Sequence, residues 1–95
     1  MGLKDQGNEL MKQNKYEEAI EKYTAAIEIT PNPIFYCNRA AAFSKIQNHD
    51  GAVNDAKDAL KLDPNYSKAY ARMGFAYLNM NQFKDAEEAY AAACR

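Results

Sequence analysis

The chain repeats itself. Three segments fall into register: YEEAIEKYTAAIEITP (16–31), HDGAVNDAKDALKLDP (49–64) and FKDAEEAYAAACR (83–95), offset by 33 and then 34 residues. Ala19, Ala52 and Ala86 correspond, as do Tyr23, Ala56 and Tyr90, then Ala26, Ala59 and Ala93. Pro31 and Pro64 close the first two units, and Gly7, Ala40 and Gly74 mark a second matching position upstream, each four residues after Leu3, Tyr36 or Tyr70. A period of this length means units that bury their apolar faces only by stacking on the next copy. The one-residue deficit falls at TPNPI, in a loop between units, where a change of length costs least.

Each unit divides in two. The turn-prone stretches QNK, QNHD and NMNQ interrupt the apolar periodicity, and Pro31 and Pro64 cannot continue a helix interior. First helices are therefore expected near 3–13, 34–46 and 67–80, and second helices near 16–29, 50–62 and 83–95. The small residues at Gly7, Ala40 and Gly74 let the two helices of a unit approach closely, with Tyr and Leu filling the space around them. The pattern resembles the tetratricopeptide repeat, a helix–turn–helix of 34 residues with small residues at its contacts and Pro at its end. The expected fold is thus an all-α solenoid, one domain over 1–95, with repeats at about 2–32, 33–66 and 67–95. The chain stops before the third repeat's terminal Pro and before any C-terminal capping helix. It is read as a fragment of a longer protein, with an apolar flank near Tyr90 and Ala93 uncovered.

Composition removes several function classes. The net charge of −1 gives no global positive field for nucleic acid or an acidic membrane. No apolar run approaches a membrane-spanning length, and no secretory signal opens the chain. Met1-Gly2 is followed by Gln6 where a myristoylation signal wants Ser or Thr, so it is read as an initiation or expression remnant. Cys37 and Cys94 lack any CxxC partner and His49 is the only histidine, which favours reduced, buried or half-buried thiols in a cytosolic protein without metal or cofactor. With His49 in a turn there is no Ser-His-Asp set, and no Gly-rich phosphate loop exists. Paired acids such as Glu17-Glu18 and Glu87-Glu88 belong to solvated second-helix faces. The seven tyrosines are expected mostly at packing positions rather than as a stacking platform for single strands.

The near-neutral total hides a segregation. The first helices carry Lys4, Lys12, Arg39, Lys45, Lys68 and Arg72 against Asp5 and Glu9, a net charge of +4. The second helices, with Asp63 just after the middle one, carry Lys22, Lys57, Lys61, Lys84 and Arg95 against the other eleven acids, a net charge of −6. The resemblance implies that first helices line the concave surface, so a positive groove and an acidic exterior are expected. On a wheel of about 100° per residue, Lys4, Asn8, Asn38, Lys68 and Arg72 share one arc, roughly opposite the packing positions. Asn is a poor helix former, yet Asn8 and Asn38 sit mid-helix on that face. Lys68 and Arg72 stand four apart with no acid between Pro64 and Lys84, a repulsion of about 0.2–0.5 kcal/mol that an external anion would relieve.

LKDQGN (3–8), YCNRAAAFSK (36–45) and YSKAYARMG (66–74) resemble the carboxylate-clamp subset of these repeats. Among clamp domains they are most similar to the small glutamine-rich tetratricopeptide-repeat co-chaperones, whose wider process includes tail-anchored protein targeting. The resemblance implies a co-chaperone adaptor, not an enzyme, that grips the Glu-Glu-Val-Asp tails of seventy- and ninety-kilodalton heat-shock chaperones in the cytoplasm. It implies Lys4, Asn8, Asn38 and Lys68 on the terminal Asp carboxylates, with Arg72 on a carboxylate or carbonyl further up the peptide. Met11, Ala41, Ser44 and Lys45 follow as secondary contacts, Lys45 toward an upstream Glu. Lys supplies point charge, Arg a planar fork and Asn a neutral donor, a set suited to a doubly carboxylated chain end. Dimerisation and glutamine-rich segments of that family have no counterpart here, so a monomer is expected, from a parent that is dimeric elsewhere. Two other roles stay open: a targeting module beside a phosphatase or prolyl-isomerase domain, and a scaffold holding a partner's helix.

Overall fold

Six helices follow one another along the chain: α1 Leu3–Lys12, α2 Tyr16–Ile29, α3 Pro33–Lys45, α4 His49–Leu62, α5 Ser67–Asn79 and α6 Phe83–Ala93. The structure, a computed structural model, describes residues 2–94. Met1 and Arg95 lie outside the described residues, and with them the Met1-Gly2 reading and the expected end of the last helix. All other expected boundaries fall within two residues of the observed ones. Helix α3 begins at Pro33 rather than 34 because Pro is favoured at a helix's first position, and the Asn32 side chain caps it by accepting from the Ile34 amide at 2.8 Å.

The three turns inside the repeats are built alike. Asn14, Gln47 and Asn81 hold positive φ of 61°, 66° and 63°. In each case the following amide reaches back to a carbonyl five residues earlier: Lys15 to Leu10 at 2.9 Å, Asn48 to Phe43 at 2.8 Å and Gln82 to Tyr77 at 2.9 Å. This is the Schellman closure, which satisfies the last carbonyls of a helix and reverses the chain. Asn tolerates the left-handed conformation, so QNK and NMNQ encode it directly.

Each helix packs on its sequence neighbour. Beyond that, α1 touches α3 and α3 touches α5, whereas no contact joins α2 to α4 or α4 to α6 among the described residues. The first helices therefore form the inner wall and the second helices splay outward. The core between them is largely alanine: Ala19, Ala40, Ala52, Ala56, Ala59 and Ala76 are all buried. Tyr23 and Cys37 are the largest fully buried side chains. Such small residues bring the helix axes close. At Gly7 the approach is tightest, because a Cβ there would lie 2.5 Å from the Tyr23 ring, against 3.0 Å from the Tyr90 ring at Gly74. The packing role expected for the tyrosines holds most fully for Tyr23; Tyr90 keeps over a third of its surface exposed.

Gly→Ala in a helix interior normally stabilises by about 1 kcal/mol. Gly7→Ala is expected instead to destabilise by about 1–3 kcal/mol through overpacking against Tyr23, while Gly74→Ala stays near neutral. Urea unfolding of the two variants beside the parent protein checks this.

Candidate functional site

On the inner wall, Asn8 is held from two sides. The Tyr23 hydroxyl donates to its Oδ1 at 2.5 Å, and the Asn38 amide approaches the same oxygen at 3.4 Å. Tyr23 comes from α2, its ring pressed on Gly7, and burial raises its phenol above the ordinary value, so its proton stays available for donation. With Oδ1 occupied, the Asn8 Nδ2 has no partner among the described residues and remains able to donate. Two of the five expected clamp residues are thus in direct contact.

Three cations come from the flanking first helices, Lys4 on α1 and Lys68 and Arg72 on α5. Lys4 is one turn before Asn8 on α1. Lys68 and Arg72 reach α3 from α5: burial pushes the Cys37 thiol up to about 11, against the opposing pull first of Arg72 and then of Lys68, with a further push from Asp55. Cys37 precedes Asn38 on α3, so the field of both cations is felt at the residue next to the asparagine. Among the described residues Lys4, Lys68 and Arg72 have no carboxylate partner. Lys68 is exposed, whereas Lys4, Asn8, Asn38 and Arg72 are half-buried.

The groove charge needs one correction. Arg39, counted with the groove cations, is turned into the fold: its Nε and Nη2 donate to both Asp55 carboxylate oxygens at 2.8 and 2.7 Å. Its Nη1 donates to Thr24 Oγ1 at 3.0 Å, and Tyr36 and Phe43 flank the guanidinium at 5.7 Å. Asp55 is correspondingly not part of an acidic exterior but 3% exposed. Burial pushes its carboxyl above the usual range, and Arg39 pulls it back only in part. The hydrogen bond to Asp55 holds Arg39 firmly protonated. A signal existed in the sequence: Asp55 stands three residues after Ala52 and one before Ala56, on the helix's apolar face. Lys12, also counted with the groove, lies 4.0 Å from Glu9 on its own helix.

Of the secondary positions, Ala41, Ser44 and Lys45 line one cavity of about 350 Å³, with Arg72 across from them on α5. Phe75 and Asn79 continue that wall, and Gln47 and His49 close it from the turn. These last four were not anticipated; Phe75 and Asn79 lie three and seven residues after Arg72, on its helix face. Ser44 is only 8% exposed. Met11 is half-buried on α1 and lines none of the cavities described. Both thiols are free, Cys37 buried and Cys94 exposed rather than half-buried. No group of three or more His, Cys, Asp or Glu suited to a metal occurs among the described residues, and none of their helices is long and apolar enough to cross a membrane.

With this geometry in view, the comparisons are specific. Models described as "TPR repeat" and "Tetratricopeptide repeat" match residues 7–47 and 47–93. The chain belongs to the tetratricopeptide-repeat family. It is 49% identical over 89 residues to small glutamine-rich tetratricopeptide repeat-containing protein 2 of Mycosarcoma maydis, covering 93% of this chain and 25% of that protein. It spans about a quarter of the length of the fungal relatives of this kind. The crystal structure of the Sgt2 TPR domain from Aspergillus fumigatus superposes with a TM-score of 0.93 at 46% identity, over 96% of this chain and 61% of that one. The second TPR of Spaghetti (RPAP3) bound to the HSP90 peptide SRMEEVD gives 0.93 at 39% identity, over 97% and 86%.

Removing one member of a buried ion pair strands the other. Asp55→Ala is expected to lower the unfolding free energy by about 3–5 kcal/mol, and Arg39→Met with Asp55→Leu by clearly less, because no charge is left buried alone. Chemical denaturation of the single and double variants measures both.

Proposed function

We propose that this domain is a co-chaperone adaptor whose concave groove binds the acidic C-terminal tail of heat-shock chaperones through a carboxylate clamp. The observation that carries this is the Asn8 amide, oriented by Tyr23 and Asn38 and, among the described residues, left with unpartnered N–H groups, on an inner wall whose cations Lys4, Lys68 and Arg72 have no carboxylate there. A free chain end ending in Asp presents two carboxylates within a few ångströms, matching that density of donors. The likeness to a domain bound to SRMEEVD supports the same ligand class here.

In this account Lys4, Asn8, Asn38 and Lys68 hold the terminal Asp, and Arg72 holds a group further up the peptide. Ala41, Ser44 and Lys45 border the upstream residues, and Met11 gives an apolar wall on α1. The cations begin unpaired, so binding removes the Lys68–Arg72 repulsion rather than breaking an internal salt bridge. Because the groove is open to solvent, attraction is screened and weakens with salt. Affinity stays modest, since a disordered peptide loses conformational freedom on binding. The wider process, tail-anchored protein targeting in the cytoplasm, belongs to a longer parent chain of this kind.

Calorimetric titration with SRMEEVD and its C-terminally amidated twin tests the clamp. The free acid is expected to bind at least about tenfold tighter, since each charge-assisted hydrogen bond contributes about 1.5–3 kcal/mol, and Lys68→Glu is expected to abolish the difference. Equal affinity for the two peptides would rule the clamp out.

A further inference from the structure

The chain's only histidine, His49, opens α4 and belongs to neither the five clamp positions nor the four secondary ones. Its two ring nitrogens have different surroundings. Nε2 faces Gln47 Oε1 at 3.2 Å, an oxygen that only accepts, so in the neutral ring Nε2 carries the proton. Nδ1 is then a bare acceptor, and it is buried without a hydrogen-bond partner among the described residues. Folded proteins leave few buried polar atoms in that condition, because such an atom has lost its water without replacement.

A proton on Nδ1 turns this atom from acceptor to donor and gives the ring a charge. What faces the ring decides how well that charge is tolerated. Lys45 from α3 and Arg72 from α5 share its cavity, whose other walls are uncharged. On its own helix the neighbouring acid is Asp50, which is exposed and lines no part of the cavity. In the free domain an imidazolium would therefore stand beside two cations, with a buried N–H and no acceptor. An acidic peptide supplies both missing things, negative charge and acceptor oxygens. The cavity of about 350 Å³ is about 9 Å across if taken as round, close to the Debye length of about 8 Å at physiological salt. Arg72 lines it and is also one of the expected clamp residues, so a charge on His49 acts at the peptide's place in the groove.

We propose that His49 makes the groove a proton-linked site, which takes up a proton on the histidine as an acidic peptide binds and therefore binds that peptide more tightly as the pH falls. It rests on the reading of the groove as a peptide site and adds a regulation to it. The sign follows from linkage: the complex holds the proton better than the free domain, so the added affinity is fully present below the imidazole range, about pH 6.5, and is lost as pH rises through it. Peptide carboxylates, at about 4, do not titrate there, nor does the Cys37 thiol, which burial pushes up to about 11.

Calorimetric titrations of the 95-residue domain with N-terminally acetylated SRMEEVD, at about pH 6 and pH 7.5 and constant salt, test this. Acetylation removes the peptide's amino group, which titrates close to the same range. The parent domain is expected to bind about three- to tenfold tighter at the lower pH, the effect of a unit charge about 9 Å away at a dielectric between those of water and a protein surface. Heats in buffers of different ionisation enthalpy are expected to show proton uptake. His49→Gln keeps the Asn48 cap on the Gly51 amide and is expected to bind equally at both pH values with no uptake. His49→Lys carries the charge permanently and is expected to be equally flat, but tighter than His49→Gln. A parent profile that matches that of His49→Gln, or His49→Lys no tighter than His49→Gln, overturns the proton link. The C-terminally amidated twin separates the two levels. If it binds more weakly than the free acid while the parent and His49→Gln profiles coincide, the proton link alone fails; if it binds as well as the free acid, the groove reading beneath it fails.

Discussion

The contact on which the site depends is Tyr23 laid against Gly7. With no Cβ at Gly7, the ring enters between α1 and α2 and is fully buried there. Its hydroxyl emerges one residue further along α1, at Asn8 Oδ1. A packing residue of the second helix thus fixes the amide of a polar residue on the first. Asn38, from the next repeat, reaches the same oxygen, so the stacking of repeats and the orientation of the site are one arrangement. A surface asparagine would otherwise sample several rotamers, and holding it in advance lowers the entropy lost on binding.

Electrostatics divides the inner wall into two kinds of cation. Arg39 is spent on structure, tying α3 to Asp55 on α4 and to Thr24 on α2. Its planar fork suits this bidentate, half-buried role, which a lysine would fill poorly. Lys4, Lys68 and Arg72 keep no carboxylate partner among the described residues. Asp55 is the acid that makes the separation possible, since without it Arg39 would be a buried unpaired charge.

Much of the fold was legible because its punctuation is local. Pro31 and Pro64 break the chain between repeats, and Asn14 and Asn81 supply the left-handed turn within them. Gly7 and Gly74 announce close helix approach. What escaped the sequence lies across helices. Arg39 and Asp55 are 16 residues apart, Asn8 and Tyr23 are 15 apart, and neither spacing belongs to a single helix's i,i+4 pattern. The cavity beside Arg72 escaped for the same reason, because Ser44, His49 and Phe75 meet only after α3, α4 and α5 have packed. Helix-face reasoning assigns residues to a side, but it does not say which partners fill the space between two sides.

These features form a sequence of causes: glycine permits the tyrosine and the tyrosine sets the asparagine, which in the proposed function binds a carboxylate together with the three cations. The most direct measurement follows the side-chain amide resonances of Asn8 and Asn38 by NMR as SRMEEVD is added. Both amides are predicted to shift with the free-acid peptide, with the backbone of α1, α3 and α5 moving more than that of α2, α4 and α6. Shifts confined to the outer helices, with the two asparagine amides unmoved, would contradict the account.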